Sequence, residues 1–255
     1  MVKGAAGGRA SILRLVDVQE QYGRHILADM LAGLPPLHAC CDLGVGRGQD
    51  LQLVRARFPL AHLAGIDCTE RHRALLAQAE IQLHVLNLEQ DVLPFPDESV
   101  DFFIANQVYE HLKEIFWVSH QVSQKLKTSG YLFIGVPNIH ALHNRLLFNF
   151  GMQPSQMKSY SAHVRGFGAR EIPQFLDACF PGGYRLVRVG GAQFYPFPKR
   201  LARILCKCFP SLAHSMFFLF QKIRPYAGEF VQHPIRAHLE SNFYLGAAPT
   251  GAPVD

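Results

Sequence analysis

The run Asp42-Leu43-Gly44-Val45-Gly46-Arg47-Gly48 constrains this chain more than any other segment. It follows an apolar stretch at 38–44 that reads as a buried strand and leads into 49–58, which reads as a helix. Alternate glycines at a strand-to-helix turn let the backbone approach a ligand while helix N–H groups point into the crevice. For a dinucleotide fingerprint the third glycine should come three residues after Gly46, where Gln49 stands. The spacing is G-x-G-x-G, with an acid two residues before the first glycine, which weakens a pyrophosphate reading.

The alternation of elements continues past the loop. Strands are expected at 61–67, 81–89, 100–106 and 131–138, with helices at 69–80 and 114–126, the rhythm of a parallel sheet. Further helices are expected at 141–150 and 169–180, a sixth strand at 184–191 and a seventh at 241–248. An amphipathic helix over 11–34, closed by Gly33 and the Pro35-Pro36 pair, leads in. The fold class is therefore α/β, a doubly wound Rossmann-like sheet of seven mostly parallel strands. The stretch 194–240 is too long for a hairpin turn and is expected to form an inserted helical cap. One domain over 1–255 results: a leading helical segment (1–36), a core that binds the ligand (37–192), the cap (193–240), and the last strand with its tail (241–255).

Composition agrees. With 49% hydrophobic and 18% charged residues, 255 residues can bury on the order of 75% of their unfolded surface, which excludes a disordered or disulfide-stapled chain. A net charge of +5 is too mild for a nucleic-acid binder. No stretch reaches the roughly 18 consecutive apolar residues of a membrane span and no signal-like apolar region opens the chain, so a cytoplasmic protein is expected. The six cysteines read as reduced, packed thiols. No metal is expected: Cys206 and Cys208 lack a second pair, and His140 and His143 lack a third ligand nearby in sequence.

Asp67, ending the second strand 19 residues after Gly48 (67 − 48), stands about where a carboxylate meets the two vicinal hydroxyls of a ribose. Asn87 and Leu88 end the third strand, and Ala105-Asn106-Gln107 the fourth. Together with LPFPDESVDFFIANQVYEHL, this set resembles the class I S-adenosylmethionine-dependent methyltransferases over about residues 39–138. The resemblance implies S-adenosylmethionine as cofactor and S-adenosylhomocysteine as product. It implies Asp42, Gly44, Val45, Gly46 and Gly48 around the methionine part, Asp67 with Cys68 at the ribose, Asn87 and Leu88 at the adenine, and Asn106 with Gln107 near the sulfonium. Many members carry Asp where this chain has Asn87.

The likeness extends to bacterial members acting on sugars, lipids and secondary metabolites. It runs through Val136-Pro137-Asn138, Asn144-Arg145-Leu146, Gly151-Met152-Gln153-Pro154 and His163-Val164-Arg165-Gly166-Phe167. These motifs name no acceptor. A hydroxyl acceptor must lose a proton, for which histidine is the natural base. His163 is the first candidate, because its polar segment is expected to cross the open end of the sheet. His111 is the second, since the resemblance places the Glu110-His111 pair at the pocket wall. Arg165 can hold an anionic group of the acceptor, and Tyr160 and His143 complete the expected acceptor side.

Residues 194–225 carry six Lys or Arg and no acid. Leu201, Ile204, Leu205 and Cys208 would form one face of a helix, and Arg200, Arg203 and Lys207 another. Two readings stand: an interfacial helix making peripheral membrane contact, or a lid in which 212–220 covers the acceptor pocket. The expected function is methyl transfer to a small-molecule, sugar or lipid-linked acceptor, as O-methylation with a histidine base. The rivals are a non-catalytic methyltransferase-like partner subunit and a nicotinamide-dependent oxidoreductase.

Overall fold

The computed structural model describes residues 20, 22–240 and 242–246. Seven strands form one sheet: β1 (Ala39–Leu43), β2 (His62–Asp67), β3 (Ile81–Val85), β4 (Val100–Asn106), β5 (Leu126–Pro137), β6 (Tyr184–Ala192) and β7 (Ser215–Lys222). Their order is β3-β2-β1-β4-β5-β7-β6. Pairings from β3 through β5 are parallel, whereas β7 runs antiparallel to both β5 and β6. Asn106, at the end of β4, pairs in register with Gly135 of β5.

The pleat sorts successive side chains onto opposite faces. Cys41, Phe103, Ile134 and Phe218 fall on one face, packed by α4 (Ile115–Lys125), α6 (Glu171–Cys179) and α8 (Glu229–Arg236). Cys40, Phe102, Phe133 and Phe217 fall on the other, beneath α1 (Arg24–Leu31), α2 (Gln49–Arg57) and α3 (Arg73–Gln78). Two further helices, α5 (Leu142–Asn149) and α7 (Lys199–Cys208), follow β5 and β6. Both faces are covered, so the strands read as near-continuous apolar runs. The chain connects to opposite sides from β1 and β4, and the crevice beyond their C-terminal ends is the switch point where ligands of such sheets bind.

The seventh strand corrects the expectation. It is formed by 215–222, and the described residues 242–246 are irregular, with Phe243 against Phe116 and Tyr244 against Trp117. The expected cap of 193–240 is therefore split by β7 into α7 with a 3-10 turn at Pro210–Leu212 before the strand and α8 after it, and a lid over 212–220 does not exist. The reason is burial. Phe217, Phe218 and Phe220 are almost fully enclosed on both faces, and each contributes roughly 1.5–3 kcal/mol, so Met216–Phe220 has no polar alternation to reveal a strand. Lys222, wholly buried at the strand's end, donates to the Ser123 and Leu126 carbonyls and to Glu98.

The leading helix is observed as Arg24–Leu31; the rest of 11–34 before Glu20, and Gln21, lie outside the described residues. On α7 the sides also differ from expectation. Ala202 and Cys206 are buried while Leu201 and Ile204 face outward, and Lys199 and Arg203 both reach Glu20 at 2.8 Å. Among the described residues no helix is long and apolar enough to cross a membrane.

Candidate active site

The three glycines of the loop have different tasks. All have positive φ (71°, 48° and 72°), a region open to glycine and strained for other residues. A Cβ on Gly48 would lie 2.7 Å from Leu76 and 2.8 Å from Ile81, so Gly48 lets the start of α2 close against α3 and β3. A Cβ on Gly46 would meet nothing nearer than 3.9 Å. Its bare face is where a ligand can pass against the backbone. The loop hooks over β2, with Gly44 N and Val45 N both donating to the Ile66 carbonyl at 2.8 and 2.9 Å. Val45 points its side chain into the core, against Gly65, and offers only backbone to the crevice.

Beside the loop lies a cavity of about 520 Å³ whose walls include Arg24, Asp42, Gly46, Asp50 and Asn106. Asp42, 4% exposed, sits next to the end of β1. Burial, then the neighbouring Asp50 carboxylate, pushes its carboxyl well above the ordinary range, with Arg24 pulling the other way. Arg24 Nε donates to Asp50 Oδ1 at 2.8 Å, and Asn106 Nδ2 donates to Asp50 Oδ2 at 2.7 Å and to the Tyr22 carbonyl at 2.9 Å. These bonds turn Asn106 Oδ1 the other way, where it is buried without a partner. One guanidinium that donates and one buried acid that can accept suit a zwitterion, an ammonium beside a carboxylate.

Asp67, at the end of β2, accepts from Gly46 N at 3.2 Å and from Thr69 N at 3.0 Å, which fixes its carboxylate at the mouth of the loop. Cys68 follows it, exposed. Asn87 lies beyond β3 in a turn: its Oδ1 accepts from Glu89 N, and its own N–H goes to Asp91. Leu88 packs on the core. Gln107, at φ 61°, donates its N–H to the Gly135 carbonyl and leaves Nε2 buried without a partner.

The 3-10 turn Tyr109–His111 follows β4 and meets the segment that carries His163. Val164 N and Arg165 N both donate to the Glu110 carbonyl, and the His111 and His163 rings stand edge to face with centroids 4.8 Å apart. His163 Nδ1 donates to the Gln156 carbonyl at 2.8 Å, and His111 Nδ1 to that of Ala162 at 3.1 Å. A carbonyl only accepts, so in the neutral form of either ring the lone pair lies on Nε2. Burial holds the His163 imidazole below its usual pKa and therefore neutral at pH 7. Arg165 donates to the Leu112 and Lys113 carbonyls and clamps the two segments together. Tyr160 is 86% exposed, with Lys158 over its ring. His143 bonds Ser155 and stacks on His214.

Residues 41–134, the loop and strands β1 to β5, match the family model described as a methyltransferase domain. Over these residues the chain carries a methyltransferase domain, similar to that of the class I S-adenosylmethionine-dependent methyltransferases. Trans-aconitate 2-methyltransferase of Sinorhizobium fredii is 29% identical over 149 residues, 57% of this chain and 56% of that protein. The Rhizobium meliloti protein of the same name is 35% identical over 115 residues, 43% of each. The chain spans about half the length of the curated relatives it matches. Among solved structures, an S-adenosylmethionine-dependent methyltransferase from Thermotoga maritima superposes with a TM-score of 0.56 at 15% identity, covering 80% of this chain and 91% of that one. The Burkholderia thailandensis 1,6-didemethyltoxoflavin-N1-methyltransferase, solved with S-adenosylhomocysteine, gives 0.54 at 15%, covering 88% and 93%. These two show the fold that the family shares.

Sequence reasoning placed the loop and the strand-end acids but missed Tyr22, Arg24 and Asp50. Arg24 lies on the leading helix, and no local spacing ties it to a loop 20 residues on. Asp50 carried a faint signal, as an acid in the first turn of the helix that the glycines open.

Proposed function

We propose that this chain transfers a methyl group from S-adenosylmethionine to an oxygen of a small-molecule acceptor. The observation that carries the reading is the cavity at the switch point. The Asp42 carboxyl can accept from the ammonium of the methionine part, and Arg24 can donate to its carboxylate. Asp67 would take the ribose hydroxyls, Gly46 would lie along the ligand, and Asn87 and Leu88 would border the adenine. Bound there, S-adenosylmethionine supplies an electrophilic methyl carbon on a sulfonium, and the protein's task is to hold the acceptor in line and exclude water.

The acceptor side of this reading is the turn after β4. The neutral His163, with its Nε2 lone pair free, would take the proton of an acceptor hydroxyl, and His111 stands beside it. One relative, malonyl-[acyl-carrier protein] O-methyltransferase of Methylococcus capsulatus, 26% identical over 118 residues, names oxygen as the methylated atom, which supports O-methylation. A lipid-linked acceptor is the second form of the reading, favoured by Leu201 and Ile204 facing outward on α7 beside Arg200 and Lys207. Co-sedimentation with anionic vesicles tests that form.

Titration calorimetry with S-adenosylhomocysteine, with NAD as control, tests the reading itself. Micromolar binding of the first and none of the second is expected. A folded sample that binds neither would make this chain a non-catalytic member of its family.

A further inference from the structure

The Glu110 carboxylate is the least explained group in the molecule. It is 1% exposed, and neither of its oxygens has a hydrogen-bond partner. Burial without a partner pushes its pKa up to about 8. Oε1 faces His111 Nε2 at 4.0 Å. Donor atoms of Glu110, His111 and His163 all lie within 4.8 Å of one another, and among the described residues no other group of three such side chains converges in this way.

Two more features match what metal-ligating side chains need. Each histidine gives its Nδ1–H to a backbone carbonyl, which fixes the ring and directs the Nε2 lone pair away from that carbonyl. The two halves of the cluster are also tied together, through Val164 N and Arg165 N on the Glu110 carbonyl and through Arg165 on the Leu112 and Lys113 carbonyls. An ion with ~2.1 Å bonds needs tetrahedral donors about 3.4 Å apart, so the three side chains close on it by roughly 1 Å, within the reach of ring and carboxylate rotation.

We propose that Glu110, His111 and His163 form a binding site for a first-row divalent transition cation. Two imidazoles and one carboxylate are the ligand set of Zn²⁺ and of Fe²⁺ or Mn²⁺ sites that keep coordination positions open. An open position at Glu110 and His111, four and five residues beyond the end of β4, lies on the acceptor side of the proposed reaction. This role, though not the ion site itself, rests on the methyl-transfer reading. There the ion would bind the acceptor oxygen and lower its pKa, the proton leaving to water; with the ion bound, His163 Nε2 is a ligand, and the ion replaces it as the means of activating the acceptor hydroxyl.

The test uses the full chain, stripped with EDTA and titrated with Co²⁺, reading visible absorption alongside calorimetry with S-adenosylhomocysteine. One saturable Co²⁺ per chain is expected, lost in His163→Ala and weakened by ~10-fold or more in Glu110→Gln. Both variants should keep their S-adenosylhomocysteine affinity and melting temperature, which separates a lost ion from a lost fold. Glu110→Gln keeps shape and removes only charge. No saturable absorption from wild-type protein that binds S-adenosylhomocysteine would overturn the site. Co²⁺ binding indifferent to both substitutions would overturn it too, placing the ion on other histidines. Variant-sensitive Co²⁺ binding without S-adenosylhomocysteine binding would uphold the ion site and refute the cofactor reading.

Discussion

Gly65 of β2 lies directly under the glycine loop, and replacing it with alanine tests whether that packing sets the loop. An added Cβ would sit 2.6 Å from Val45 Cγ2 and 2.7 Å from its Cβ and Cγ1, where carbon atoms normally rest ~3.5–4.0 Å apart. Val45 must retreat by about 1 Å, against two hydrogen bonds that tie Gly44 and Val45 to the Ile66 carbonyl. Overpacking of this kind costs about 1–3 kcal/mol, of which roughly 0.5–1 is returned by removing a glycine from a strand. A net loss of about 1–2 kcal/mol is expected in denaturant unfolding. Affinity for S-adenosylhomocysteine should fall ~10-fold, because Gly46 and its bond to Asp67 move with Val45. The decisive assay is a double-mutant cycle. Val45→Gly removes all three close atoms, so on its own it destabilises by about 2–3 kcal/mol, through lost burial and a freer backbone, yet Gly65→Ala added to it should cost almost nothing. If the two changes add within ~0.5 kcal/mol, the contact does not govern the loop.

Asp67→Ala should weaken S-adenosylhomocysteine binding by more than ~1 kcal/mol in calorimetry, and unchanged affinity would refute the ribose assignment. His163→Ala should lower turnover by ~10²-fold while leaving cofactor affinity unchanged, and full turnover would remove this residue from the acceptor chemistry. Asp101 caps the start of β1, accepting from His38 N at 2.9 Å and Ala39 N at 2.8 Å and from Lys127 at 2.7 Å. Burial raises its pKa, but these bonds, led by that from Lys127, outweigh it and hold the carboxyl below its usual value of 3.8. Its stabilisation is therefore present above pH 3.8 and lost as pH falls through the lower folded value. Asp101→Asn should reduce stability at pH 7 and flatten the acid limb of the unfolding profile; an unchanged acid limb would refute this sign.

The five strands from β1 to β5 were legible because glycines, prolines and acids mark their ends, and parallel buried strands announce themselves as short apolar runs. The third expected strand overran to 89 because Asn87 turns the chain with its own side chain. The end of the chain misled. Tyr244 and Phe243 look like strand residues, but they lie as irregular chain on Trp117 and Phe116, while the real strand at 215–222 falls in the stretch that reads as a helical cap with a lid at 212–220. In the site, the loop acids could be read from spacing, since a strand-end position is local. The meeting of Glu110 and His111 with His163 could not, because hydrogen bonds between segments more than 50 residues apart create it.

The antiparallel insertion of β7 has a consequence for how the protein is made. Among the described residues strand β6 pairs only with β7, so 184–192 joins the sheet through 215–222, which must be synthesised first. From Pro137 to Lys222 some 85 residues emerge while β5 keeps one edge bare. At the ~5–20 residues per second of translation, that interval lasts about 4–17 s. An open strand edge is a template for pairing with another chain, so a nascent protein stalled within this interval is the form most exposed to aggregation.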